Sequence, residues 1–158
     1  MSRFPYLLIA GLVVGLDRLL KGWAASSLTL SDPRPLLGQA IRLTRVHNVG
    51  GAFGIFHGNG DLFVAVSSIV AVGLIILLLA ANLRGPLLKI GLALVLGGAI
   101  GNLIDRLYFG YVLDFFEVRG FPVFNLADAC VTVGVGLILI RTFLGGEKDR
   151  ASGQVGRL

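Results

Sequence analysis

Apolar residues gather in four long runs, from about Phe4 to Ala25, Leu62 to Leu83, Pro86 to Phe109 and Asn125 to Leu144. A helix needs about 20 mostly apolar residues to cross the hydrocarbon core of a bilayer. Each run is long enough, and the second is the cleanest, with only Ser67, Ser68 and Asn82 clearly polar. The stretch between the first two runs, about Ser26 to Asp61, is too long for a simple turn. Ile41, Leu43 and the aliphatic stem of Arg45 alternate there with polar neighbours, which is a strand signal. Gly50, Gly51, Gly54, Gly58 and Gly60 follow and suit tight turns and close backbone approach. The pattern predicts an all-α polytopic membrane protein. It would form one membrane domain over residues 1–158, with four transmembrane helices and a small extracytoplasmic β-sheet in the first outer loop. The polar stretch from about Gly145 to Leu158 reads as a mobile tail.

Composition agrees. Hydrophobic residues make up 55% of the 158 residues and charged residues only 15%. A water-soluble domain draws on roughly a quarter charged residues to cover its surface. The net charge of +5 comes with no basic run or stripe of the kind nucleic acid requires. Lys and Arg sit instead at the ends of the apolar runs, where lipid headgroups lie. Arg3, Arg84, Lys89, Arg141, Lys148, Arg150 and Arg157 fall on one side, and Arg34, Arg42, Arg45 and Arg119 on the other. The richer side is expected to be cytoplasmic and to hold both termini. The first run has no small-residue cleavage site after it and reads as a retained helix, not a leader. The single cysteine, Cys130, excludes an intrachain disulfide and reads as packing.

The informative residues are the polar ones at membrane depth, where a charge costs about 2.5–3.5 kcal/mol. Asp17 and Lys21 are four apart and share a helix face. Gly97 and Gly101 form a GxxxG spacing that admits a second helix backbone. Asn102 and Arg106 are also four apart on one face, with Asp105 expected to point elsewhere. Asp114 lies just beyond the third run and Asp128 in the first turn of the fourth, each among apolar neighbours and at similar depth. Asn125, three residues before Asp128, suits a helix N-cap, but a cap leaves the second buried carboxylate unexplained. Two carboxylates in one apolar pocket cannot easily both ionise, and they then share a proton. Such a pair can act as general base and general acid in one reaction. There is no HExxH and no convergent His/Cys cluster, so neither metal nor cofactor is expected.

Five blocks in order resemble the lipoprotein signal peptidases (signal peptidase II). A D-Q-x-x-K block stands here as Asp17-Arg18-Leu19-Leu20-Lys21. An N-x-G-A-A-F block stands as Asn48-Val49-Gly50-Gly51-Ala52-Phe53. A G-N-L-x-D-R block is intact from Gly101 to Arg106, a V-x-D-F block from Val112 to Phe115, and an F-N-x-A-D block from Phe124 to Asp128. Arg18 stands where the pattern has Gln, and Gly51 where it has Ala. The resemblance covers nearly the whole chain. It implies Asp114 and Asp128 as a catalytic aspartate dyad. It implies Asp17, Lys21, Asn48, Gly50, Asn102, Asp105, Arg106 and Asn125 as supporting or substrate-contacting residues. The activity it implies is removal of the signal peptide from prolipoproteins, on the amino side of a diacylglyceryl-modified cysteine. The partners would be those substrates and membrane lipids, with no nucleic acid and no obligate protein partner. The enzyme would lie in the bacterial cytoplasmic (inner) membrane, with its site near the outer leaflet. Two other classes fit intramembrane charges: a proton-coupled transporter and a non-catalytic lipid-binding scaffold. Against the first, the polar residues gather at one end and line no path across. The second would not need paired carboxylates.

Overall fold

The structure, a computed structural model, describes residues 3–50, 60–81, 83 and 85–155. Helix α1 covers Phe4–Ser27, strands β1 and β2 cover Arg34–Leu37 and Ile41–Asn48, and α2 covers Gly60–Ala80. Helix α3 covers Pro86–Phe109, β3 covers Val112–Val118, and α4 covers Leu126–Val155. The glycine-rich stretch 51–59, with its part of the second sequence block, lies outside the described residues.

Among the described residues, three helices are long and apolar enough to cross a membrane: Asp61–Ala80, Pro86–Phe109 and Leu126–Phe143. Helix α1 has 24 residues but carries Asp17, Arg18 and Lys21. It turns Leu8, Leu12, Leu16 and Leu19 outward and buries Asp17 and Lys21. That is the reverse of the apolar-in, charged-out pattern of a helix in a soluble domain. Helix α4 continues to Val155, past the point near Leu144 where the apolar run stops.

Helix α3 is the centre of the bundle and packs against α1, α2 and α4. Its glycines make this possible. A Cβ on Gly97 would sit 2.8 Å from the Ala10 carbonyl of α1, and one on Gly98 would strike the Ala127 carbonyl of α4. Lower down, Gly91 and Gly134 oppose each other, a Cβ on either falling within 2.8 Å of the other's carbonyl. The GxxxG spacing thus marks a true close approach, here of α1 on α3. Gly98→Ala should lower thermal stability in detergent by about 1–3 kcal/mol, as overpacking does. Gly136→Ala, with nothing within 4 Å of its added Cβ, should not. Equal melting temperatures for the two would refute this packing.

The sheet differs from the expectation. It is three-stranded, antiparallel, ordered β1-β2-β3. Among the described residues, two of its strands come from the stretch between α1 and α2. The third follows α3 directly and carries Asp114. The turn into it is made at Gly110, which takes φ 74° at the end of α3 while its N–H donates to the Arg106 carbonyl. Glycine adopts this left-handed cap without steric cost.

Candidate active site

Strand pairing brings the first site residues together. Val46 lies opposite Asp114, and Asn48 is two residues further along the same face of β2. The Asn48 Nδ2 donates to Asp114 Oδ2 at 3.0 Å. The Gly50 N–H donates to Asn48 Oδ1 at 3.0 Å, which fixes which end of that amide faces the aspartate.

The start of α4 supplies the second carboxylate. Asn125 caps the helix: its Oδ1 accepts the Asp128 N–H at 3.0 Å, and Asp128 Oδ2 accepts the Asn125 N–H at 3.2 Å. This is a reciprocal box of the kind that satisfies the free donors of a first turn. With its oxygen so engaged, Asn125 turns its Nδ2 to Asp114 Oδ1, 2.6 Å away, and to Asn102 Oδ1, 3.1 Å away. Asn102 in turn donates from Nδ2 to Asp128 Oδ1 at 2.8 Å. Every oxygen of Asp114 and Asp128 therefore accepts a hydrogen bond, and Asn125 touches both residues.

Behind these amides lies a cluster of four charges. Lys21 Nζ is 2.9 Å from Asp17, 2.8 Å from Asp105 and 2.9 Å from Asn102 Oδ1. Asp17 also accepts the Ala127 N–H at 3.2 Å, so α1 helps to cap α4. Asp105 accepts the Leu113 N–H at 3.1 Å and so ties α3 to β3. It does point away from the Asn102–Arg106 face, but into α1, where it is 1% exposed. The sequence reading paired Asp17 with Lys21 and left Arg18 without a partner. Arg18 in fact bridges Asp17 at 3.0 Å and Asp105 at 2.6 Å. No local spacing could reveal that contact, because Arg18 and Asp105 are far apart in the chain.

Asp114 and Asp128 face a cavity of about 720 Å³ that Asn48, Asn102 and Arg106 also line. Its remaining wall is largely apolar, with Val66 and Val70 from α2, Val131 from α4, and the stretch Phe121 to Phe124. Arg106 sits over the Phe63 ring, 5.1 Å from its centroid. At the rim, His47 stacks on Tyr111 with 3.8 Å between ring centroids and accepts from Arg45 Nε at 3.3 Å. Burial and the nearby Arg45 charge hold His47 below the ordinary histidine range. Burial and the negative charge of Asp128 push the Asp114 carboxyl up to about 7. Nine of the ten residues singled out from the sequence are thus joined by hydrogen bonds and ion pairs, and the tenth, Arg106, lines the same cavity as the two aspartates. Aspartates 114 and 128 stand at the cavity and the Asp17–Lys21–Asp105 group behind it. Among the described residues, no group of three or more His, Cys, Asp or Glu is placed to hold a metal ion.

Helices with outward apolar faces, enclosing a hydrogen-bonded polar cluster that opens on a cavity, define a membrane protein with a built polar site. Two solved structures, each described as a bacterial membrane enzyme determined by the in meso method, share this fold. One has a TM-score of 0.86 at 29% identity and covers 91% of this chain and 90% of its own. The other has a TM-score of 0.79 at 30% identity and covers 87% and 92%. The sequence profile described as Signal peptidase (SPase) II matches residues 9–144. The lipoprotein signal peptidase of Moorella thermoacetica is 42% identical over 92% of this chain and 98% of its own length. That of Brevibacillus brevis is 39% identical over 92% and 99%. The chain belongs to the signal peptidase II family, and is a membrane peptidase of that family.

Proposed function

We propose that this protein is an intramembrane aspartic endopeptidase that removes signal peptides from prolipoproteins, cutting on the amino side of a diacylglyceryl-modified cysteine. The substrate class follows the family and its relatives' names. The observation that carries the catalytic type is the pair Asp114 and Asp128, joined through Asn125 and facing one cavity.

The pair works with one proton between them, and its titration belongs to both. Burial and the charge of Asp128 push the Asp114 carboxyl up to about 7, and in this reading Asp114 serves as the acid of the pair. The ionised Asp128 takes a proton from a water molecule, whose oxygen attacks the scissile carbonyl carbon. Asp114 gives its proton to the carbonyl oxygen as the tetrahedral intermediate forms. Collapse breaks the C–N bond: the proton on Asp128 passes to the leaving amine, and a hydroxyl of the intermediate returns a proton to Asp114, which leaves the carboxylic acid product and restores the starting pair. Arg106 and Asn48, which line the same cavity, can donate to carbonyl groups of the bound peptide. The valines of α2 and α4 suit an apolar signal segment.

The decisive experiment is cleavage of a diacylglyceryl-cysteine peptide by the purified protein in detergent, with no ion gradient. A released signal segment ending just before the lipidated cysteine supports the reading. No cleavage, or ion-coupled transport instead, would overturn it. Above pH about 7 both carboxylates ionise and the proton needed by the carbonyl oxygen is lost. The value of kcat/KM should then fall about tenfold per pH unit, with an apparent pKa near 7. A profile flat to pH 9 would refute the shared proton.

For topology, the buried charges and outward leucines of α1 support a fourth span. Even spanning and the Lys/Arg asymmetry support cytoplasmic termini, with the sheet and cavity on the outer side. In a Cys130→Ala background, a cysteine at Gln39 should react with a membrane-impermeant reagent in intact cells. Reaction only after lysis would reverse the orientation.

A further inference from the structure

Four charges lie behind the aspartate pair, and none of their side chains lines the cavity. Two carboxylates, Asp17 and Asp105, meet two cations, Lys21 and Arg18, so the cluster is neutral as a whole. Arg18 bridges the two carboxylates. One terminal nitrogen is 2.6 Å from Asp105, and the other is 3.0 Å from Asp17 and 3.2 Å from the carbonyl of Gly101, the residue before Asn102. Its Nε is buried without a partner among the described residues, so the guanidinium is spent on bridging the two aspartates.

The side-chain link from the cluster to the aspartate pair runs through Lys21 and the Asn102 amide, while Asp17 and Asp105 hold the backbone N–H groups of Ala127 and Leu113, the residues just before Asp128 and Asp114. Lys21 can only donate, so its 2.9 Å contact forces Asn102 to present Oδ1 to it. The other end of the amide, Nδ2, must then face Asp128, and it does so at 2.8 Å. Two hydrogen bonds thus separate the charge of the cluster from the reacting carboxylates.

We propose that Arg18 is a positioning residue for the reaction, acting through Asp17, Asp105 and Lys21 on the Asn102 amide. It cancels the second carboxylate of the cluster, so that Lys21 holds Asn102 toward Asp128 beside a neutral group instead of an anion. The inference rests on the aspartic reading of the preceding subsection.

Charge sign makes it testable. Among the described residues, the charged and titratable groups around the pair and its cluster are Asp17, Arg18 and Lys21 from α1, Arg45 and His47 from β2, Asp105 and Arg106 from α3, Tyr111 before β3 and Cys130 from α4. Helix α2 lines the cavity with Val66, Ser67 and Val70 and no charge. His47, held below its ordinary range, titrates on the acid side and leaves the alkaline limb to the aspartates. Arg18→Gln gives the cluster a net charge of −1, and a like charge opposes the second ionisation of the pair. The alkaline limb of kcat/KM should move up by about half to one pH unit. Asp105→Asn gives the cluster +1 and should move the limb down by a similar amount. The double variant Arg18→Gln/Asp105→Asn is neutral again and should return the limb to within about 0.2 unit of the parent.

The measurement is the pH dependence of kcat and KM for the lipidated peptide, with melting temperatures in parallel. Opposite shifts in the single variants, restoration in the double and a little-changed KM support the proposal. Limbs that stay at the parent value while only the melting temperature falls, or shifts of the same sign, overturn it. If Arg18→Gln is not recovered folded, Asp105→Asn and the double variant still give the comparison. A parent enzyme that does not cleave the peptide would instead refute the proposed function, which separates the two failures.

Discussion

Asp114→Asn and Asp128→Asn should each lower cleavage of the lipidated peptide by at least about 10²–10⁴-fold while the protein stays folded and inserted. Asparagine keeps the size of the side chain but can neither take a proton from water nor share one. The surroundings sharpen the expectation. Both oxygens of Asp114 accept from amides, Asn48 and Asn125. An asparagine there must turn its NH2 group toward one of these donors, so about 1–3 kcal/mol of stability should go with the activity. Asp128 likewise accepts at both oxygens, from Asn102 and the Asn125 backbone. Because the pair acts as a unit, the double variant should be hardly slower than either single one. Asp105→Asn should impair cleavage without abolishing it, since Asp105 lies behind the cavity. Turnover within a few-fold of normal in either Asp114→Asn or Asp128→Asn would mean that the reacting groups are elsewhere.

Lys21→Ala should have the largest effect on folding. Its ammonium is 3% exposed and makes three contacts, with Asp17, Asp105 and Asn102. Removing it leaves two buried carboxylates against Arg18 alone and frees Asn102 to rotate. Breaking a buried ion pair by deleting one partner costs roughly 3–5 kcal/mol. Activity should fall as well, because Asp128 loses a fixed donor. Neutralising a second group removes the excess charge. Asp17→Asn/Lys21→Met should recover more than half of the lost stability, since an asparagine can still accept from the Ala127 N–H. The check is thermal unfolding in one detergent for the parent, the single variant and the pair. Normal yield, melting temperature and turnover in Lys21→Ala would make the cluster ornamental.

What the sequence could show follows from which signals are local. The Asp17–Lys21 pair lies one helical turn apart, and the structure places it at 2.9 Å. The Asn125–Asp128 spacing and the glycine stripe of α3 were equally readable, since caps and close approaches are written within a few residues. Strand β3 was not. Its residues Val112, Leu113, Asp114 and Phe115 are all buried, so the apolar–polar alternation that marks a half-exposed strand is missing. Asp105 was given the right direction, but its partners on α1 could not be seen from α3. Arg18 was visible only as a departure from a pattern, because its role depends on two helices meeting at Gly101. The apolar cavity wall, Val66, Val70 and Val131, is indistinguishable in sequence from lipid-facing valine.

The glycines of α3 differ in what stands in their way, and this bears on how the sequence can drift. At Gly98 the obstacle is a main-chain carbonyl, that of Ala127. No change of side chain elsewhere can clear it, so the position is closed to compensation. At Gly101 the nearest atom is the Asp17 carboxylate, 2.8 Å from an added Cβ. An alanine there could be accommodated only alongside a smaller residue at position 17, which would dismantle the ion cluster. One glycine is therefore fixed by architecture and the other by chemistry. Among descendants of this gene, the first should be invariant, and the second should vary only where the first helix has lost its aspartate.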